Sequence, residues 1–331
     1  MIGSTNGRPI GITGLGTHVP ERIYTNADLE QYVDTTDEWI RERTGIRERR
    51  FADKHEALTD IALPAAVQAL AAAEAEPASI DLIIVATVTP DMMFPTSSAI
   101  LADTLGMPDA AAYDLLAGCT GFMYGIAQAY AMLAAGLSRR ALVVGGDVLS
   151  KILDWSDRST LVLFGDGAGA VVLEQVDEGG FLGFELGADG GGGKNLWLPG
   201  SGSRHFEDAD KLVKMNGREV FRFATRVMVS SAEKILQECG RTVDDVDVYV
   251  PHQANKRIID HAAGKLGIPD EKIVVNVDRF GNTSSGSIPL ALADARDDGR
   301  LRPGELVLMT GMGAGLTWGS ALIEWTEGRA A

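Results

Sequence analysis

One cysteine, one histidine and one asparagine stand at places where an apolar run gives way to a turn. Cys119 lies in Asp114-Leu-Leu-Ala-Gly-Cys-Thr-Gly-Phe122, where such a run meets a long helical pattern. His252 follows the run Tyr249-Val-Pro-His, and Asn282 sits in the glycine turn Phe280-Gly-Asn-Thr-Ser-Ser-Gly286. Strand ends of this kind are where α/β folds place their chemistry. A cysteine at a helix start has its thiolate favoured by the helix dipole and free N–H groups, and a thiolate attacks thioesters well. A developing oxyanion needs fixed donors, which the backbone of Gly311-Met-Gly-Ala-Gly315 can supply beside that of Cys119. His252 and Asn282 carry N–H donors and no fixed negative charge, which suits an enolate oxygen formed as a carboxylate is lost. The same three residue types also fit a cysteine hydrolase, and the residues alone leave both open. The other histidines, His18, His55, His205 and His261, lie in turns or on helix faces and read as structural or solvent-exposed.

These side chains need strands and helices to hold them. The apolar runs at 80–88, 111–116 and 141–147 read as strands buried on both faces. Helical patterns cover 58–75, 120–137 and 216–239, and polar loops cover 154–160 and 200–210. Residues 69–81 align without gaps to residues 235–247, and Cys119-Thr-Gly-Phe parallels Asn282-Thr-Ser-Ser. One βαβ-type unit therefore occurs twice. The expected halves are 1–175, carrying the cysteine, and 176–331, carrying the histidine and asparagine. Cys119 and Asn282 are expected to be symmetry mates at helix N-termini.

The 331 residues are 45% hydrophobic, ample for a large core. A net charge of -16 argues against nucleic acid as the main partner, and an acidic protein partner would need a local basic patch. The two cysteines are far apart and form no metal or disulfide framework, and Cys239, beside Gly240, reads as a packing residue. No apolar signal region or membrane-length run is present, so a soluble, cytoplasmic protein is expected. The glycines of 10–20 and 164–173 lead into a proline turn and a strand, which fails the context of a phosphate loop. Trp39 and Arg43 share a helix face. They can clamp a flat anion, although an arginine covering a half-buried indole is the ordinary alternative. The apolar loop Asp91-Met-Met-Phe-Pro95 can plug a partner subunit or a substrate tunnel, or simply pack.

The segments DTTDEWIRERTGI, DLLAGCTGF, FGDGAGAVVL, VPHQAN, GNTSSGS and GAGLTWGSAL, in order from about residue 10 to 325, resemble β-ketoacyl-acyl-carrier-protein synthase III. The resemblance implies an α/β, thiolase-like fold with a duplicated core in α-β-α-β-α layers, assembled as a homodimer. It implies a ping-pong acyltransferase of fatty acid synthesis. Its cysteine takes an acyl group from acyl-CoA, and malonyl-acyl carrier protein then loses carbon dioxide and attacks. Both thioesters are substrates, and no cofactor, metal, nucleic acid or membrane is implied. By this resemblance Cys119 is the nucleophile, His252 and Asn282 the decarboxylation pair, and the N–H groups of Cys119 and Ala314 the oxyanion hole. Trp39 and Arg158 match residues around the CoA adenine, and Arg43 matches a phosphate contact. Thr35, Gly217 and Asn255 match the pantetheine channel. Phe94 matches a residue reaching into the partner's acyl pocket, and Met312 and Leu316 stand where aromatics often lie near that pocket. Arg222, Lys256 and Arg257, with Arg218 and Arg226 on the same helix as Arg222, match carrier-protein docking positions. Many members have alanine on both sides of the cysteine, where this chain has Gly118 and Thr120. Acyl-chain selectivity stays open, as does a related condensing role in secondary metabolism with another starter or acceptor.

Overall fold

Residues 8–327, apart from 201 and 206–209, are described by the computed structural model. The loop expected at 200–210, with the His205 side chain, falls largely outside the described residues. The first half runs β1 (Ile10–His18), β2 (Ile23–Thr25), α1 (Asn26–Leu29), α2 (Asp37–Thr44), β3 (Glu48–Arg50), α3 (Leu58–Ala72), β4 (Leu82–Ala86) and α4 (Ser97–Leu105). It continues with β5 (Ala111–Leu115), α5 (Gly121–Ala134), β6 (Arg140–Asp147), α6 (Arg158–Leu161) and β7 (Gly167–Gln175). The second half runs β8 (Gly180–Ala188), β9 (Leu196–Trp197), β10 (Lys214–Met215), α7 (Gly217–Glu238), β11 (Val248–Pro251) and α8 (Lys256–Leu266). It closes with α9 (Val277–Phe280), α10 (Ser287–Asp297), β12 (Leu306–Gly313) and β13 (Thr317–Glu324).

Side chains that alternate along the strands bury both faces of two sheets, ordered β1-β7-β6-β4-β5 and β11-β12-β13-β8. Ile84, Val143 and Val171 face inward with Val250, Val307 and Ala321 of the second sheet. The helices α5 and α10 fill the space between them through Phe122, Ile126, Ile288 and Leu292. Ile83, Val85, Leu142 and Val144 face the other way, onto α3 and α4. The helices α7 and α8 cover the outer face of the second sheet. Five layers result, helix and sheet in alternation. The run at 111–116 is less buried than its composition implies. It forms β5, an edge strand, and Leu116 beyond it is 78% exposed.

The two halves repeat strand for strand. In each sheet the strands keep the same order and sense, and a parallel bridge Tyr249↔Ile273 stands where β5 pairs β4. The register is constant: β4 starts at Leu82 and β11 at Val248, α5 at Gly121 and α10 at Ser287, β6 at Arg140 and β12 at Leu306. A short 3-10 turn precedes each central helix, Gly118–Thr120 and Ser284–Gly286. Both turns open on a positive φ, 57° at Gly118 and 51° at Ser284. The counterpart of Cys119 is therefore Ser285, and the expected pairing with Asn282 is out of register. Matching the shared threonine of the two segments hid this, because the backbone turn and not the threonine is what repeats.

Candidate active site

Cys119, His252 and Asn282, distant in sequence, line one channel of about 310 Å³. Each is placed by a backbone device. Cys119 sits in the 3-10 turn between β5 and α5. His252 follows β11, with its N–H bonded to the Thr310 carbonyl at 2.7 Å. Asn282 is pinned on both sides, its N–H to Leu163 O and its carbonyl accepting from the Gly165 N–H, both at 2.9 Å.

The electrostatics differ from what a helix start alone suggests. Burial pushes the Cys119 thiol up to about 11, with a Ser284 hydroxyl hydrogen bond acting against it. The nearby Asp147 carboxylate pushes the thiol further up, and the N–H groups of Ala314 and of Cys119 itself pull it down. Desolvation outweighs these donors, so the resting group is the thiol and not the thiolate. His252 is held down at about 4 by burial and is neutral at pH 7. Its Nδ1 lies 2.5 Å from Ser287 Oγ, and its buried Nε2 has no hydrogen-bond partner among the described residues. A serine hydroxyl both donates and accepts, so Ser287 supports either ring tautomer. One tautomer leaves an Nε2 lone pair and the other an Nε2–H. Asn282 Oδ1 accepts from the Ser284 N–H at 2.9 Å, which leaves the Nδ2 donors for the channel.

At the channel mouth the Arg43 and Arg158 guanidinium groups lie 4.9 and 4.6 Å from the Trp39 ring centroid. The i,i+4 spacing of Trp39 and Arg43 on α2 made half of this legible; Arg158 arrives from α6, its Nη1 donating to Asp34 O at 2.7 Å. Thr36 caps α2 through the Trp39 N–H, and Gly45 ends it at φ 80°. Asn255 caps α8 by accepting from the Arg257 N–H at 2.9 Å, and its Nδ2 donates to the Arg43 carbonyl at 3.1 Å, tying the two helices together. Gly217 and Asn255 line the channel with Trp39, Arg43 and Arg158. Thr35 is not among the lining residues, and its Oγ1 is buried without a partner among the described residues.

A second, mainly apolar cavity of about 540 Å³ also reaches Cys119. It is lined by residues such as Val88, Leu149, Leu196, Val213 and Ala314, none of which except Ala314 stood out in the sequence. Met312 lines the first channel and Leu316 is buried against Gly192, while Phe94 is 83% exposed at a loop tip. Arg218, Arg222 and Arg226 are exposed on α7, and Lys256 and Arg257 at the start of α8. Arg222 pairs with Glu219 and Lys256 with Asp260 at 2.7 Å, and Arg257 lies 5.5 Å from the ring of Phe221, which lines the channel. Ser284 and Ser287, which touch the thiol and the imidazole, went unread in the sequence. Their only signal is membership of a Thr-Ser-Ser-Gly-Ser run.

Residues 113–190 match the family described as 3-oxoacyl-[acyl-carrier-protein] synthase III, and residues 236–325 match its C-terminal family. A curated relative, the β-ketoacyl-[acyl-carrier-protein] synthase III of Symbiobacterium thermophilum, is 53% identical over 325 residues, covering 96% of this chain and 98% of its own. That of Desulfitobacterium hafniense strain Y51 is 50% identical over the same length and shares. Among solved structures, the Thermus thermophilus synthase III superposes with a TM-score of 0.92 at 50% identity, covering 97% of this chain and all of its own. The priming β-ketosynthase of the R1128 polyketide pathway gives 0.92 at 36% identity, with 98% of each chain covered.

Proposed function

The chain belongs to the β-ketoacyl-[acyl-carrier-protein] synthase III family, with its thiolase-like α/β fold, and from that premise we propose how its residues divide the work. It is an acyltransferase that condenses an acyl-CoA primer with malonyl-acyl carrier protein to start fatty acid synthesis. The observation that carries the assignment is the meeting of Cys119, His252 and Asn282 in one channel, with two backbone N–H groups directed at Sγ.

In the first half-reaction Cys119 Sγ attacks the acyl-CoA carbonyl. The Cys119 and Ala314 N–H groups receive the oxyanion. Because the thiol is neutral at rest, its proton leaves as it attacks, taken by the Nε2 lone pair of His252. The C–S bond to CoA then breaks, and CoA departs as the thiol with that proton. In the second half-reaction the malonyl thioester loses carbon dioxide. The resulting enolate oxygen is held by Nε2–H of the other His252 tautomer and by Asn282 Nδ2. Its carbon attacks the acyl carbonyl, the bond to Cys119 breaks, and the departing thiolate takes a proton from solvent. Nothing in this sequence calls for a resident metal or cofactor.

Trp39, Arg43 and Arg158 take the nucleotide of CoA, and Gly217 and Asn255 the pantetheine arm, with Thr35 set back from the channel wall. The second cavity, lined by Val88, Leu149, Leu196 and Val213, takes the acyl chain, whereas Met312 borders the first channel and Leu316 lines neither. The exposed arginines of α7, with Lys256 and Arg257, dock the acidic carrier protein. A homodimer is supported by β5, whose outer edge pairs no described strand, and by exposed Leu116, Met93 and Phe94 close to the second cavity. Phe94 would enter the partner's cavity. The halves 1–175 and 176–331 act as one catalytic body. No helix of the described residues is long and apolar enough to cross a membrane, in keeping with a cytoplasmic enzyme. The likeness to a polyketide priming β-ketosynthase keeps a secondary-metabolic starter as the second reading.

Intact-mass spectrometry tests the scheme. Acetyl-CoA, or another primer from a panel, adds one acyl group at Cys119, which persists until malonyl-acyl carrier protein arrives. Rapid loss of that label to water would make the protein a hydrolase, and absence of any label would make it a scaffold. The primer giving the highest kcat/KM decides between the two condensing roles.

A further inference from the structure

Two threonines lie behind the two N–H groups assigned to the oxyanion. Thr120, next to Cys119, is fully buried, and Thr317 begins β13 opposite Gly313. The Thr120 hydroxyl is 2.7 Å from the Ala117 carbonyl oxygen and 2.8 Å from Thr317 Oγ1. The Thr317 hydroxyl is 3.0 Å from both the Ala117 and the Ala314 carbonyl oxygens. With one hydrogen each, the two hydroxyls donate to two of these acceptors at a time, so the bonding is shared among the two carbonyls and the hydroxyl pair. One carbonyl precedes the nucleophile turn, and the other belongs to the residue whose N–H completes the hole.

Between these carbonyls the two segments meet backbone to backbone. A Cβ at Gly118 would lie 2.7 Å from Ala314 O and 2.8 Å from Ala314 N, and one at Gly313 would lie 2.5 Å from Cys119 N. No side chain spaces the segments apart, so their separation depends on what bonds them together. Neither threonine lines the channel or the second cavity, so neither touches a substrate held there.

We propose that Thr120 and Thr317 are positioning residues for acyl transfer, a hydroxyl clamp that sets the spacing between the Cys119 and Ala314 N–H groups. This rests on the reading of those two groups as the oxyanion hole. A donor displaced by a fraction of its hydrogen-bond length loses most of its value to a transient charge. The clamp would therefore act on the rate of acyl transfer and leave the thiol itself unaltered.

The test compares Thr120→Val, Thr317→Val and the double variant with Thr120→Ser and Thr317→Ser. Two rates are read for each, single-turnover acylation of Cys119 by acyl-CoA and alkylation by iodoacetamide, which needs the thiol but no oxyanion hole. The valines are expected to slow acylation on the order of tenfold while alkylation holds within about twofold. The serines restore acylation, and the double variant is no slower than the poorer single because the clamp is already open. Thr120→Ala and Thr317→Ala serve if a buried valine unfolds the turn. Valines that acylate at the wild-type rate, an equal fall in both rates, or serines that fail to rescue would each overturn the clamp while leaving the oxyanion reading intact. A wild-type protein that forms no acyl-Cys119 would remove that reading and the clamp with it.

Discussion

The turn at Gly118–Thr120 and the turn at Ser284–Gly286 share one backbone path, a positive φ followed by a 3-10 turn and a central helix. In the second turn the counterpart of Cys119 is locked. The Ser285 hydroxyl is 2.9 Å from Ala86 O and 2.8 Å from the fully buried Asp147 carboxylate, which also accepts from the Ser285 N–H at 3.3 Å. That carboxylate accepts further from Thr87 Oγ1, Thr89 Oγ1 and Val88 N–H, between 2.7 and 3.0 Å. In the first turn the equivalent of Asp147, at the end of β12, is Gly313, and the equivalent of Ala86 is His252. A carboxylate and a backbone carbonyl tie down one side chain; a glycine in place of that carboxylate leaves the other open to the channel. The locked copy then supplies the open one: Ser284 touches the thiol, Asn282 leads into the turn and Ser287 holds His252. Duplication allowed one copy to be frozen into a support for the other.

The comparison can be broken most severely by making the two turns alike. Gly313→Asp places a carboxylate where Asp147 stands in the other copy, with its Cβ 2.5 Å from Cys119 N. Acylation of Cys119 in a single turnover is expected to fall about 10²-fold or more, because the oxyanion donor cannot stay in place. Near wild-type acylation would mean that the glycine is not what keeps the first turn open.

Asp147→Ala tests the locked copy. It takes the carboxylate acceptor from the Thr87 and Thr89 hydroxyls and from the Val88 and Ser285 N–H groups, away from water, while the Ser285 hydroxyl keeps Ala86 O. A loss of about 3 kcal/mol in urea unfolding is expected. A loss below about 1 kcal/mol would make the network ornamental.

His252, where the other copy has Ala86, gives the pair different acid behaviour. Its folded-state pKa of about 4 lies below the unfolded value of a histidine, about 6.5. Between those values the unfolded chain binds more protons, so stability falls as pH falls through this window and is restored above it. Relative to His252→Asn, the wild type is expected to lose about 2 kcal/mol between pH 7.5 and pH 5. Asp166, raised by burial to about 6, acts in the opposite sense but is present in both proteins and cancels. Parallel pH dependences would place His252 in contact with water.

Much of this was legible in the sequence, because it depends on local chemistry. The buried runs gave β4 and β6, Thr36 and Gly45 bounded α2, and Cys119, His252 and Asn282 were singled out by type and setting. What depends on tertiary placement was not. The alanine-rich run of β5 has the composition of a central strand, and only sheet order puts it at an edge. The thiol's raised pKa follows from burial, which outweighs the helix start that sequence can see. Val88, Leu149, Leu196 and Val213 form one cavity from four separate segments, and no spacing announces it. Among the serines of 284–287 nothing local tells which meets the thiol, which the aspartate and which the imidazole.

The central claim is a division of labour: the first turn carries the acyl group, His252 serves both half-reactions, and Asn282 acts only in decarboxylation. Asn282→Ala tests it most directly, because the amide enters only the second half-reaction. Acyl-Cys119 formation from acyl-CoA and carbon dioxide release from malonyl-acyl carrier protein would be timed in the same preparation. The account predicts acylation within about threefold of wild type and carbon dioxide release slower by about 10². An equal loss in both steps would contradict it.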